Sequence, residues 1–227
     1  MSIIHGMDMQ EVIALLFFLM CWVCYARYSD AGEIGHSLLS VTNHWRLQWM
    51  REMLARENRS LDAILVGNLT RSFTFFASTT IFILAALVSL LGYRTQANSI
   101  ILDIPFAKLN EDGVWQLKIF LLIIIFTYAF FKFTWSMRQY NYVNIFIGAV
   151  PDFRARKEAH EALAAKGAGL LGNAARHFNN GLRAYYFGLA VLGWFVHPYV
   201  FMAGTALVVW VTYRREYRSA TLKHLSQ

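Results

Sequence analysis

The sequence predicts an all-α membrane protein, a polytopic helix bundle with about four transmembrane helices and amphipathic helices on its cytoplasmic side. The 227 residues are 57% hydrophobic and only 15% charged, whereas soluble domains are about 25% charged. Uncharged runs long enough for a helix to cross about 30 Å of hydrocarbon recur along the chain, and lysine and arginine gather between them. No internal repeat or linker is evident, so residues 1–227 are predicted to form a single membrane domain.

The first three predicted spans cover about residues 10–28, 72–93 and 114–136. The first span is not a signal peptide, because Asp8 and Glu11 stand where a signal peptide carries lysine or arginine. The second span is the longest uncharged run of the three. Ser60 predicts the start of a helix that leads directly into this second span.

The fourth predicted span, about residues 184–213, is too long for one straight crossing. Its 30 residues would form a helix of about 45 Å, half as long again as the hydrocarbon core. Pro198 lies near the middle, where it removes a backbone donor and kinks the helix. Either one long, tilted and kinked helix crosses here, or two short arms form a hairpin at His197 and Pro198. The sequence leaves both alternatives open.

The distribution of lysine and arginine sets the expected orientation. Loops 29–71 and 137–183 are long and basic, so the positive-inside rule predicts that both are cytoplasmic. The N-terminus and the short, slightly acidic loop Arg94–Gly113 are then extracytoplasmic. A single fourth crossing would leave the last basic residues outside, against the rule, whereas a hairpin would return them to the cytoplasm. Those residues are Arg214, Arg215, Arg218 and Lys223.

The first cytoplasmic loop contains an amphipathic helix. Apolar residues recur at spacings of three and four, and arginines such as Arg46 fill most of the other face. Such a helix lies among anionic lipid headgroups or packs on a neighbouring helix, or simply caps the bundle in solvent. The apolar stripe comprises Leu38, Val41, Trp45, Trp49 and Met53. The net charge of +7 follows from these loops and predicts contact with anionic lipid, not nucleic acid.

No motif in the chain predicts an enzyme. Cys21 and Cys24 form a CxxC inside an apolar helix, where no charge or helix N-terminus would lower a thiol pKa, so both are predicted to be small buried residues. Gly167–Gly172 spells GxGxxG but follows a helical segment instead of a strand, and predicts a helix break. No catalytic triad, paired carboxylates or P-loop is present. We therefore expect no catalytic residue, cofactor or metal site.

Two polar stripes recur at helical spacing along the second and third spans. Small and hydroxylated residues on one face let membrane helices approach closely. The stripes predict either a packing interface or a polar passage with a cationic inner mouth, which would favour anions. They comprise Gly67, Arg71, Thr74, Ser78, Phe82, Ala85 and Ser89, and Thr127, Phe131, Thr134, Arg138, Asn141, Ile145 and Gly148. Lys132 and Arg183 are added as further cations at the predicted mouth.

His197 and Pro198 form a second candidate site, since an ionisable group within an apolar run is often functional. The simpler interpretation is a neutral histidine that is hydrogen-bonded to a carbonyl freed by the proline.

Several strings spread over the chain resemble the membrane family catalogued as domain of unknown function 599. The resemblance covers about residues 29–219, and two of the strings are fairly specific: FTWSMRQYNY (Phe133–Tyr142) and RAYYF (Arg183–Phe187). It implies a bacterial inner-membrane protein with about four helices and no assigned activity, so no catalytic residue is transferred. The other strings are RENRSLD from Arg56, GNL from Gly67, FFASTT from Phe75, LGWF with Pro198, and RREYRS from Arg214.

Three functions compete. The first is a multi-pass membrane protein without catalysis that works as an oligomer or as an accessory or structural subunit of a larger membrane complex. The alternative is an oligomeric pore or carrier for small anions, motivated by the stripes and their cations. A lipid-headgroup enzyme is the third, resting only on membrane placement and the arginines.

Overall fold

The computed structural model describes residues 7–31, 37–92, 112–152, 154 and 157–226, and these residues form helices with no strand. A short 3-10 turn, Gly193–Phe195, interrupts the last third of the chain. The α-helices are α1 (Met9–Ala31), α2 (Leu38–Ala55), α3 (Ser60–Gly92), α4 (Asp112–Ala149), α5 (Lys157–Leu192), α6 (Pro198–Tyr217) and α7 (Ala220–Leu225).

Three of the described helices are long and apolar enough to cross a membrane. The segments are Met9–Ser29, Ser60–Gly92 and Gly113–Ala149, and they contain the first and third predicted spans and the second as far as Gly92. The end of the second predicted span at Tyr93, the loop from Arg94 to residue 111 and the first six residues lie outside the described residues. The all-helical fold of the described residues and the presence of helices long and apolar enough to cross a membrane agree with the sequence prediction.

The fourth predicted span is not one continuous helix. α5 ends at Leu192 and α6 begins at Pro198. The two arms lie side by side, because a Cβ on Gly204 would be 3.6 Å from the Cα of Ala190. Farther from the turn, Arg215 Nη1 donates to Tyr186 Oη at 2.6 Å. Residues of the two arms that are near the turn contact each other, and so do residues of the two arms that are farther from it. The arms therefore run antiparallel.

The turn between the arms follows from its sequence. The backbone N–H groups of Val196 and His197 both donate to the Gly193 carbonyl, at 3.2 and 3.1 Å. Val200 approaches so closely that a Cβ on Gly193 would meet its side chain at 3.1 Å, which favours glycine there. Pro198 is the first residue of α6, where its missing N–H and fixed φ suit a helix start.

The starts of the helices in the first loop carry side-chain caps. Ser37 Oγ accepts from Ser40 N at 3.1 Å and begins α2. Asn58 Oδ1 accepts from Ser60 N at 2.9 Å, and α3 then runs without interruption into the span. The prediction of a helix start at Ser60 is confirmed.

The helices pack into two compact units, each drawn from three separate segments of the chain. Unit 1 comprises the described residues of Met1–Ala31, Thr79–Ala129 and Leu182–Arg215; unit 2 comprises those of Gly32–Ser78, Phe130–Gly181 and Glu216–Gln227. Two thirds of the 21 lysines and arginines belong to unit 2. In unit 1, Phe18 packs against the rings of Phe187 and Phe201 at 5.7 and 5.1 Å.

The buried face of α2 includes Met53 of the predicted stripe, with Trp49 packed against it, but otherwise differs from that stripe. Met50, Met53 and Leu54 are fully buried in the core of unit 2, whereas Trp45 is half-exposed and donates its indole N–H to the Leu225 carbonyl of α7 at 3.2 Å. The contacts of α2 with α7 and with the rest of unit 2 determine which of its residues are buried. The periodicity of α2 alone does not reveal these contacts.

The predicted helix break at Gly167–Gly172 was wrong, since α5 continues through it. A Cβ on Gly167 would lie 2.7 Å from Phe146 Cε1 and 2.8 Å from Met50 Sδ. Gly167 therefore allows α2 and α4 to approach α5 closely.

Candidate functional site

The residues of the two predicted stripes face outward from the chain. Most of the named polar members are exposed, and the rest are half-buried. The exposed ones are Arg71, Thr74, Ser78, Arg138 and Asn141; the half-buried ones are Lys132 and Thr134. The structure therefore does not arrange them around an interior space of the described chain.

The stripes also leave room beside them. A Cβ on Gly67 or Gly148 would meet no atom of the described residues within 4 Å. Thr74 Oγ1 bonds to the Thr70 carbonyl at 3.1 Å, and Thr134 Oγ1 bonds to the Phe130 carbonyl at 2.9 Å. A hydroxyl satisfied by its own helix can face lipid or a neighbouring helix without leaving an unpaired polar group.

Arg183, the other cation predicted at the mouth, belongs to unit 1. It is buried, and its guanidinium donates to Ser29 Oγ of α1 and lies 5.6 Å from the ring of Tyr25. Within unit 1, Arg183 therefore links α5 to α1.

His197 does not bond to the carbonyl that Pro198 frees. It is half-buried, its Nδ1 accepts from the backbone N–H of Tyr199 at 3.2 Å, and its ring stacks on that of Tyr199 at 5.1 Å. Pro198 is buried at the start of α6.

Lys118 takes the role that was considered for His197. The Trp194 carbonyl lies in the turn between α5 and α6, and Pro198, four residues later, has no N–H to donate to it. Lys118 Nζ donates to this carbonyl at 3.0 Å instead. The same Nζ lies 5.1 Å from the centre of the Trp194 ring.

Lys118 also forms a buried ion pair. Its Nζ lies 3.1 Å from Glu11 Oε1, with side-chain exposures of 1% for Lys118 and 13% for Glu11. A charge placed in an apolar membrane segment is costly unless it is paired. The cluster therefore joins α1, α4 and the turn after α5 through one ammonium group.

A second polar cluster lies in unit 2, where α2 meets the start of α3. Asp62 is fully buried, and its Oδ1 accepts from Trp49 Nε1 at 2.7 Å and from Arg56 Nη1 at 2.9 Å. The Arg56 side chain stays 41% exposed. The adjacent strings RENRSLD and QWMRE contain these residues, but no periodicity links them.

His177 and Arg46, both in unit 2, have lowered pKa values. Burial, followed by the nearby charges of Lys132 and Arg176, lowers the pKa of His177. Burial also lowers the pKa of Arg46, whose Nη1 donates to Asn43 Oδ1 at 2.6 Å. This arginine was predicted to lie on the outer face of α2.

The described residues contain no group of three or more His, Cys, Asp or Glu side chains that could hold a metal ion. Cys21 is half-buried and Cys24 is exposed, so the prediction that both are buried was wrong for Cys24. The outer surface of α1 is free to carry this thiol because little of that helix is buried within the chain.

The comparison with known proteins bears on the whole chain. Residues 13–221 match the family described as protein of unknown function, DUF599. Neither a curated protein nor a solved structure matches the chain. The family match includes α2 to α6 in full, together with the Arg56–Asp62 cluster, Lys118 and the Pro198 turn. The chain therefore belongs to the DUF599 family, as the sequence strings indicated.

Proposed function

We propose that the chain is a non-catalytic, multi-pass protein of the bacterial inner membrane that works by assembling with further copies of itself. The observation that carries this proposal is the outward orientation of both small-residue stripes. Small and hydroxylated residues are used in membranes where helices approach closely, and the chain itself does not cover these faces. A second copy would bury them.

The expected topology places both long loops and the C-terminus in the cytoplasm. The antiparallel arms of α5 and α6 support a hairpin that returns the chain to the side from which α5 came. The contact between α7 and α2 further supports a C-terminus on the same side as loop 29–71. With this arrangement Arg214, Arg215, Arg218 and Lys223 satisfy the positive-inside rule.

The ion pair between Glu11 and Lys118 supports the proposed extracytoplasmic location of the N-terminus. Glu11 lies in the first turn of α1, and Lys118 lies in the second turn of α4. Their contact requires the starts of α1 and α4 to be on one side of the membrane. This matches an extracytoplasmic N-terminus and a third span that enters from outside.

Two adjacent alanines on α3 give a matched test of self-association. Ala85 belongs to the stripe, and Ala86, also exposed, points about 100° away around the helix. We expect Ala85→Leu to dissociate the assembly and Ala86→Leu to leave it intact, because only the leucine at position 85 adds bulk to the small-residue face. Light scattering of the purified protein in mild detergent and in lipid nanodiscs measures the mass. A wild-type monomer in both media, or equal effects of the two variants, would contradict the proposal.

An anion passage between copies is the second candidate. It is favoured by the exposure of Arg71 and Arg138 on the stripes, where an assembly would bring several cations together. We expect chloride flux from reconstituted vesicles to fall when Arg138 is changed to alanine. Vesicles that hold the assembled wild-type protein but show no flux would exclude this candidate and leave the assembly untouched.

A further inference from the structure

A groove in unit 2 runs between α2, the residues that follow it and the first turns of α3. Its volume is about 460 Å³, within the range of about 300–1,000 Å³ typical of small-molecule sites. The three leucines on its floor are partly exposed in the chain. The lining residues are Trp49, Arg56, Leu61, Leu65, Asn68 and Leu69.

We infer that this groove binds a phospholipid, with one acyl chain on the leucines and the phosphate on Arg56. The site is independent of the proposed assembly face, because its α3 residues lie roughly a third of a turn around the helix axis from the stripe. No function assigned above uses the groove.

The apolar part of the groove fits an acyl chain. Leu61, Leu65 and Leu69 lie on α3, a helix long and apolar enough to cross a membrane, so the groove is continuous with a surface that faces lipid. Trp49 forms the wall, and its N–H is already bonded to Asp62. The groove therefore receives the apolar body of the indole, the part that packs against lipid at a membrane interface.

Arg56 fits the phosphate. It is the one charged residue among the described residues that line the groove. Its Nη1 is fixed by buried Asp62 at 2.9 Å, which orients the guanidinium while its other N–H groups remain for a ligand. A planar guanidinium with several parallel donors binds phosphate in a bidentate manner.

The charge of this region predicts which part of the lipid is recognised. Arg56 is neutralised in part by Asp62, and Arg59 is bonded to the carbonyls of Val150 and Pro151 at 3.0 and 2.7 Å. With Glu57 also present, residues 56–62 carry no net charge. Recognition then depends on the hydrogen bonds to the phosphate and not on the net charge of the headgroup. A diacylglycerol, which lacks the phosphate, should bind more weakly.

Native mass spectrometry of the full-length protein tests the inference, with added phosphatidylglycerol and, as the comparison, diacylglycerol with the same acyl chains. Leu65→Trp fills the groove from an exposed position, and Ile64→Trp places the same bulk one residue away, outside it. Arg56→Lys keeps the charge beside Asp62 but removes the fork of donors.

We expect phosphatidylglycerol to bind the wild type and the Ile64→Trp variant equally, and Leu65→Trp to abolish most of this binding. Arg56→Lys should weaken phosphatidylglycerol binding about tenfold, the equivalent of one charge-assisted hydrogen bond, and leave diacylglycerol binding unchanged. Equal binding of the two lipids by the wild type, no lipid adduct, or indifference to Leu65→Trp would overturn the inference. So would a dimer that Leu65→Trp dissociates, because a second copy would then fill the groove.

Discussion

Replacing Lys118 by methionine should destabilise the protein strongly, although the substitution adds apolar bulk to an apolar segment. Methionine cannot pair with Glu11, whose side chain is only 13% exposed, and cannot bond to the Trp194 carbonyl that Pro198 leaves without a donor. Removing one partner of a buried ion pair costs about 3–5 kcal/mol, because the remaining charge is uncompensated.

A double substitution separates the two contributions. Lys118→Met with Glu11→Gln removes the uncompensated carboxylate, which leaves mainly the unpaired Trp194 carbonyl, at a cost of about 1–3 kcal/mol. The double variant should therefore be more stable than Lys118→Met alone by about 2 kcal/mol. This rescue distinguishes an ion pair from two independent packing residues, whose effects would add.

The free energy of unfolding can be measured by SDS titration in mixed micelles, followed by tryptophan fluorescence. Lys166→Met is the matched control, because Lys166 is exposed on α5 and such substitutions change stability by about 0.5 kcal/mol or less. If Lys118→Met were no more harmful than this control, or if the double variant were the least stable, the role assigned to Lys118 would be refuted.

Two further predictions concern unit 2. Gly167→Ala should lower the free energy of unfolding by about 0.5–2 kcal/mol, since the clash with Phe146 and Met50 exceeds the gain in helix propensity. Gly169→Ala should raise the free energy of unfolding by about 0.5–1 kcal/mol, because a Cβ at this position meets no atom within 4 Å. If a denaturation series gave the opposite order of stability for the two variants, the packing described around Gly167 would be contradicted. Because the pKa of His177 is lowered in the folded protein, the unfolded chain binds a proton at this imidazole more readily. The free energy of unfolding of the wild type should therefore fall relative to that of His177→Gln as the pH drops through 6.5, and the difference should be constant above about pH 8. Parallel stability curves of the two proteins from pH 8 to 5 would argue against this.

The sequence was sufficient for the helices whose signals are local. Uncharged runs predicted the first three spans, and the polar cap before Leu61 predicted where α3 begins. These features depend on the hydropathy of a segment and on backbone groups within a few residues of each other. Both can be read from a short stretch of sequence.

Contacts between distant helices could not be predicted in the same way. Glu11, Lys118 and Trp194 are separated by 107 and 76 residues, and no periodicity relates them. Pro198 did indicate that a nearby carbonyl lacked a backbone donor, yet the adjacent His197 was the natural candidate to bond to it. Gly167 likewise indicated a helix break until the positions of Phe146 and Met50 showed why glycine was needed.

The candidate residues were predicted as a set, but they differ in burial. The spacing of the stripes correctly put Arg71 and Ser78 on one face of α3, because helical periodicity is a property of one segment. It did not indicate whether that face points inward or outward. Arg183 was included for its charge alone, and its burial against Ser29 and Tyr25 depends on α1, more than 150 residues earlier in the chain.

The orientation of the chain in the membrane is tested most directly by labelling single cysteines with a membrane-impermeant maleimide in intact cells, after Cys21 and Cys24 are replaced by alanine. We predict that Asp8→Cys is labelled from outside, whereas Gln48→Cys and Lys223→Cys are labelled only after the cells are permeabilised. Labelling of Lys223→Cys from outside would mean that α6 does not return the chain to the cytoplasm. Labelling of Gln48→Cys from outside would contradict the orientation of the entire bundle.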